Sequence, residues 1–335
     1  MRCAARNGAE RVTVPVRWGF LGASRIGRGA LAPAVRGAGQ VLQAIAARDL
    51  SRAQAFADDF GFARAYGDYA SLLADGEVDA VYIALPNDQH LPWTLRALAA
   101  GKHVLCEKPL ALTAGEVAQM QAAERDSGFR VMEAFCHRFH PQFAVARAAI
   151  QDRAIGEVLG VQTHFVNVLE RPADFRWAAG MGGGALYDLG CYGISLMRSL
   201  LNLEPIGVSA VQRLRGEVDE RFAAQLDFGG GLAGQVICSF EGVRQQSLTV
   251  MGSAGCLVLD WPFSTKGRAT TLSMAGVDRV FEPMDPYQAM IEHFADSITG
   301  TGEMRFGLEE SYRQAVVIDR MFEVARNQGV RTTKG

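Results

Sequence analysis

From Val16 to Phe135 the chain alternates short apolar runs with stretches of helical period. VRWGFL reads as a strand, GASRIGRGALAPAVRGA as a helix opened by glycine, and VLQAIAA as a second strand. Asp49 is placed to cap the helix LSRAQAFADDFG. AYGDYASLLADGE predicts a short helix, and DAVYIALP is a nearly all-apolar strand of the kind buried on both faces. NDQHLPWTLRALAAG follows as a helix with polar cap residues at its start and Gly101 where it should stop. KHVLCEKPL and, after one more helix, SGFRVMEAF add further strands. Alternation of this kind predicts an α/β fold with a parallel, doubly wound sheet.

Near Cys136 the pattern changes. VLGVQTHFVNVLE, GVSAVQRLRG, RFAAQLDFGGGLAGQVICSFEG, QSLTVMGSAGCLVLDW and TTLSMAG alternate apolar with polar residues and are broken by glycine turns, as in hairpins and meanders. A second, α+β domain with a mostly antiparallel sheet is expected there. The stretch GGGALYDLGCYGI, from Gly182 to Ile194, reads as a helix lying on that sheet. It sets Asp188 and Tyr192 four residues apart, one turn apart on one helical face. The tail GLEESYRQAVVIDRMFEVARNQG predicts one long amphipathic helix stopped by Gly329.

Composition narrows the class without choosing a chemistry. Hydrophobic residues make up 49% and charged residues 21% of 335, the balance of a soluble globular chain of about two domains. A net charge of −2 with scattered arginines gives no electrostatic basis for nucleic acid or an anionic membrane as partner. No apolar run has the length of a membrane span. The six cysteines form no Cys-x-x-Cys pair, so neither a zinc site nor a disulfide framework is read, and a reducing cytoplasm is expected. The histidines are not spaced as ligands, and no metal site is read. Residues 1–14 lack the apolar centre of a secretory signal and read as a disordered extension, with an organelle-targeting segment as the weaker alternative.

The first chemical signal is Gly22-Ala23-Ser24-Arg25-Ile26-Gly27, between the first strand and the first helix, where a dinucleotide fingerprint belongs. Gly22 would make the tight turn and Gly27 would bring the helix close to the sheet. Ser24 stands where the middle glycine is usual, and its hydroxyl can donate to a phosphate oxygen. At the end of the second strand an NAD site usually carries an acidic residue for the ribose 2′-hydroxyl. Here Arg48 stands there, with Arg52 close behind, and a guanidinium suits a 2′-phosphate. NADP is therefore the expected cofactor, with NAD possible; a solvated Arg48 beside a capping Asp49 is the competing reading. These features divide the chain into residues 15–135, a Rossmann domain expected to bind NAD(P), and residues 136–335, a second domain to which the resemblance described next assigns substrate binding and oligomerisation.

Gly101-Lys102-His103-Val104 followed by Glu107-Lys108-Pro109 resembles the signature of the glucose–fructose oxidoreductase and inositol dehydrogenase (Gfo/Idh/MocA) family. Pro86-Asn87 with His90 is similar to that family's loop after the fourth strand. Met132-Glu133-Ala134-Phe135, Arg138-Phe139-His140-Pro141, and Gly183-Gly184 with Asp188, Gly190 and Tyr192 resemble its branch of aldose and trans-dihydrodiol dehydrogenases. The resemblance runs from Val16 to about Leu200. It implies cofactor contacts from Asn87, His90, Glu107 and Lys108, and a homodimer or homotetramer formed through the open sheet of the second domain. It also implies hydride transfer between a nicotinamide and a carbinol carbon of a sugar or vicinal diol. Many members have histidine where this chain has Tyr192.

Removing hydride from a carbinol leaves a hydroxyl proton, so a base must lie within hydrogen-bond reach. A tyrosine of ordinary pKa, about 10, is a poor base at neutral pH, and a nearby ammonium lowers that value. Lys108 is expected to supply this charge and to stabilise an alkoxide. Asp188 would hold the lysine or a substrate hydroxyl. Arg176 is a candidate contact to cofactor or substrate, and Cys136 and Phe165 are candidate pocket residues. Taken singly, Lys108 fits a surface lysine, Tyr192 a core tyrosine and Asp188 a capping acid; their joint occurrence in the family pattern favours catalysis. The Lys108–Pro109 bond is expected to be cis. The function read from these residues is an NADP-dependent dehydrogenase of an aldose at C1 or of a cyclic vicinal diol. The alternatives are a dicarbonyl-sugar reductase of the same fold and a non-catalytic NADP-binding sensor, in which an intact acid–base pair would serve no purpose.

Overall fold

Five apolar runs and one short edge segment form the first sheet of the computed structural model, which describes residues 14–327. Its strands are β1 (Arg17–Leu21), β2 (Val41–Ala46), β3 (Arg64–Tyr66), β4 (Ala80–Ile83), β5 (His103–Cys106) and β6 (Val131–Glu133). They lie in the order β3-β2-β1-β4-β5-β6 and every pairing is parallel. Helices cover both faces, so β4 is buried at all four positions, as its unbroken apolar sequence requires. The order reverses between β1 and β4, the place where such sheets open a ligand crevice at their carboxyl ends. Asp49 caps its helix, accepting the Ser51 N–H at 2.8 Å. β3 was not anticipated: three residues at a sheet edge are too few to show a period.

The second sheet comprises β7 (Val158–Val166), β8 (Gly207–Arg215), β9 (Val218–Asp227), β10 (Ala233–Ser239), β11 (Gln245–Gly252), β12 (Cys256–Asp260), β13 (Thr270–Met274) and β14 (Val277–Phe281). Its order is β14-β13-β12-β11-β7-β10-β9-β8, antiparallel throughout except for β7 beside β10. The Cys191–Leu201 helix packs on one face, with Ile194, Met197 and Leu200 buried. On the other face Val211, Ala223, Ile237, His164 and Ser247 stand in register across five strands, and none of the five is buried. β14, exposed at every position but Phe281, was also missed.

The last two helices return to the first domain, the second of them only in part. Pro286–Thr299 buries Met290, Ile291 and Phe294 in the core of the first domain, where Phe294 meets Trp18 at 5.6 Å between ring centroids. Leu308–Asn327 lies between the domains, with Leu308 and Ala315 in one core and Ile318 and Met321 in another. Gly329, the expected helix stop, and residues 1–13 of the expected extension lie outside the described residues. Among the described residues no helix is long and apolar enough to cross a membrane.

Candidate active site

A cleft opens where β1 and β4 end. Its first lobe holds about 740 Å³ and is lined on one side by Gly22, Ala23, Ser24, Arg48 and Arg52. Gly22 has φ +105°, and a Cβ there would lie 3.0 Å from the Ala84 carbonyl oxygen, so only glycine lets the turn close on the next strand. The Ser24 hydroxyl accepts the Gly27 N–H at 2.9 Å, which leaves its own proton free for a phosphate oxygen. Beyond it the first helix begins, and its leading N–H groups are a natural anion site. The lobe's size, Arg48 just after β2 with Arg52 in the first turn of the helix that follows, and this glycine turn fit a dinucleotide with an extra phosphate.

Across the lobe lies the segment between β7 and the Asp188 helix, including Pro172, Asp174, Phe175 and Trp177. An alternating chain of charges ties this segment to both domains. Arg25 bonds Asp174 at 3.0 Å, Asp174 bonds Arg176 at 3.1 Å, Arg176 bonds Asp188 at 2.9 Å, and Asp188 bonds Lys108 at 2.8 Å.

The second lobe, about 660 Å³, shares Ser24, Arg52, Leu85 and Pro86 with the first and adds Lys108, Asp188, Tyr192, Phe165 and Tyr287. Lys108 leaves the end of β5 through Glu107, and its bond to Pro109 is cis. Its ammonium donates to the Asp188 carboxylate at 2.8 Å and to the Asp188 carbonyl at 2.7 Å. Asp188 sits in a π-helical turn, Leu186–Gly190, ahead of the α-helix that carries Tyr192. The expected single regular helix is therefore widened at the site, as happens often at functional positions. Burial acts to raise the Asp188 pKa, but Lys108 and Arg176 outweigh it and hold the carboxyl at about 2. The same pairing keeps Lys108 above its ordinary value although burial opposes it. Both groups are charged at neutral pH.

The expectation that Lys108 lowers the Tyr192 pKa does not match this geometry. The ammonium lies 4.9 Å from the centre of the phenol ring, bound to Asp188 instead. Phe135, His137, Phe165 and Phe263 surround that ring at 5.3–5.6 Å, and burial lifts the phenol well above its ordinary value. Desolvation is the largest cause, and Tyr287, Cys136, Glu107 and Cys191 act in the same direction. Tyr192 is held as a neutral phenol facing the cleft.

Glycines position this helix. Gly184 has φ +120°, and a Cβ there would fall 2.0 Å from Oδ1 of Asp219. Asp219, on β9, accepts the Leu186 N–H at 2.6 Å and so caps the π-helical turn. Burial pushes its carboxyl up to about 7 against the backbone N–H groups of Leu186 and Ala185. The sequence reading missed Asp219, because an acid between Glu217 and Glu220 at the start of a strand carries no signal of what it caps.

The other expected contacts divide. Arg25, Ile26, Asn87, Glu107 and Arg176 line the second lobe, and Asn87 also donates to the Gly182 carbonyl at 2.8 Å. Gly27 is buried under the helix rather than exposed in the cleft. His90 lines neither lobe: fully buried, it places its ring nitrogens 2.8 Å from the Pro109 carbonyl and 3.0 Å from that of Leu85. It braces the two loops that frame the cleft. Cys136 lies outside the catalytic lobe, in a smaller adjoining one. Tyr287 was missed; DPY starts a capped helix in the sequence, but nothing local shows which core that helix joins.

Residues 16–135 match the model of an oxidoreductase family, Gfo/Idh/MocA, with an NAD-binding Rossmann fold, and residues 143–258 match the Gfo/Idh/MocA C-terminal domain. The chain is 36% identical over 316 residues to D-xylose 1-dehydrogenase (NADP(+)) 2 of Haloferax volcanii, covering 92% of this chain and 97% of that one. It is 34% identical over 247 residues to trans-1,2-dihydrobenzene-1,2-diol dehydrogenase of Mus musculus, covering 72% and 73%. A solved 3-ketoreductase from Actinomadura kijaniata, in complex with NADP and TDP-benzene, is similar with a TM-score of 0.87 at 30% identity, covering 92% of this chain and 98% of that one. Motif, cleft and similarity over nearly the whole length agree: the chain belongs to the Gfo/Idh/MocA family of NAD(P)-dependent oxidoreductases.

Proposed function

We propose that the protein is an NADP-dependent sugar dehydrogenase that oxidises an aldose at C1 or, in its second substrate class, a cyclic vicinal diol. The observation that carries this reading is the Lys108–Asp188 pair beside Tyr192, in a lobe continuous with the dinucleotide cleft. The nicotinamide, when bound, supplies hydride exchange with the carbinol carbon. Arg48 and Arg52 hold the 2′-phosphate. Asp188 fixes the Lys108 ammonium, which stabilises negative charge on the substrate oxygen. Tyr192 donates its proton to a carbonyl oxygen in the reductive direction and accepts one in the oxidative direction. Because burial keeps the phenol protonated, oxidation is expected to accelerate as pH rises. The same protonated phenol, together with the likeness to the 3-ketoreductase, favours reduction of a keto sugar as the second reading. The uncovered face of the second sheet, with Val211 60% exposed, is read as the surface for homo-oligomer formation, in a cytoplasmic protein.

Tyr192→Phe tests the assignment. It keeps the ring and removes the proton, so kcat on a sugar and diol panel should fall by about 10²–10⁴-fold with NADPH affinity near wild type. Near-normal kcat would make Tyr192 a packing residue and end this reading of the site.

A further inference from the structure

The cleft continues past Tyr192. A third lobe of about 340 Å³ shares Ile26, Tyr192 and Tyr287 with the catalytic lobe and has no lining residue in common with the first lobe. Its remaining walls include Gly29, Cys136, Phe263, Ser264, Thr265 and Lys266. The volume exceeds the roughly 300 Å³ at which small-molecule sites begin. Nothing in the chemistry at Lys108 uses this space.

Its lining has a definite character. The half-buried rings of Tyr192 and Tyr287 stand at its wall with the buried Phe263 behind them, and the Thr265 hydroxyl is buried with no hydrogen-bond partner among the described residues. The Lys266 ammonium bonds Asp285 at 3.0 Å and the Gly29 carbonyl at 2.9 Å. Its charge is balanced, and one of its three N–H donors remains free. Aromatic faces mixed with uncharged donors suit a neutral sugar ring. An anion would meet a cation already neutralised, and a plain hydrocarbon would leave the Thr265 hydroxyl unsatisfied.

We propose that this lobe is a second sugar subsite, so that the substrate is a disaccharide-sized glycoside with its reacting ring at Lys108 and its second ring beyond Tyr192. The proposal rests on the sugar-dehydrogenase reading above. A monosaccharide would fill the catalytic lobe alone, and the second ring would add contacts to Tyr287, Thr265 and Lys266.

The test compares kcat/KM, with NADP, for D-glucose against cellobiose and for D-xylose against xylobiose. Both disaccharides leave the reducing-end C1 free. Each hydrogen bond gained is worth roughly five- to tenfold, so the wild type should favour the disaccharides by about tenfold or more. Gly29→Leu fills the lobe: a Cβ at Gly29 meets nothing within 4 Å, and leucine is the better helix former. This variant should bring the disaccharide-to-monosaccharide ratio close to one, and Ser264→Tyr, at an exposed position, should do the same. Equal use of both sugar sizes by the wild type would overturn the subsite while leaving the dehydrogenase reading intact. So would a ratio that both variants leave unchanged. Failure to oxidise any of the four sugars would overturn the sugar reading and the subsite together.

Discussion

Asp219 offers a test of how the catalytic helix is held. Its carboxylate is 2% exposed, caps the turn that carries Asp188, and has its pKa pushed up to about 7 by burial. In the unfolded chain the same group titrates near 3.8. Between those values the folded protein holds a proton that the unfolded chain has released. Stability from this group is therefore full below about pH 3.8 and is lost as pH rises through 7. The slope is about 1.4 kcal/mol per pH unit, and the loss between pH 5 and pH 8 comes to about 2–3 kcal/mol. Asp219→Asn keeps the shape and one carbonyl oxygen for the Leu186 N–H while removing the ionisation. Urea unfolding of both proteins from pH 5 to pH 8 should show the variant gaining about 2–3 kcal/mol on the wild type across that range. If the two stability curves run parallel to within about 0.5 kcal/mol, Asp219 does not change its charge there and the burial argument fails.

Two further perturbations address the cofactor lobe and the glycine run. Arg48→Asp places a carboxylate where a 2′-phosphate would sit; a lost charged hydrogen bond costs about 1.5–3 kcal/mol, so the NADP-to-NAD ratio of kcat/KM should fall by roughly 10- to 150-fold. An unchanged ratio would remove Arg48 from the site. Gly184→Ala drives a methyl into Asp219 at φ +120° and should destabilise the protein by roughly 2–4 kcal/mol in urea unfolding. Gly180→Ala, where a Cβ meets nothing within 4 Å, should stay within about 0.5 kcal/mol of wild type; equal losses at both positions would refute the steric account.

The sequence by itself determined the two sheet types, because burial on two faces and burial on one face write different periods along a strand. It also exposed the glycine turn and Lys108, since the chemistry at those points depends on residues adjacent in the chain. Tertiary structure decided what depends on distant segments. Whether Lys108 perturbs Tyr192 was fixed by Asp188, which holds the ammonium and is itself paired with Arg176, and by four rings that desolvate the phenol. His90 matched a motif, yet packing turned it into a brace between two carbonyls. Tyr287 reaches the cleft only because the Pro286–Thr299 helix packs back into the first domain's core, and Asp219 caps a turn whose residues lie thirty-three positions earlier. Periodicity reports which face of an element is buried; it carries no information about which element supplies the partner, and charge pairing, desolvation and capping at this site all depend on that partner.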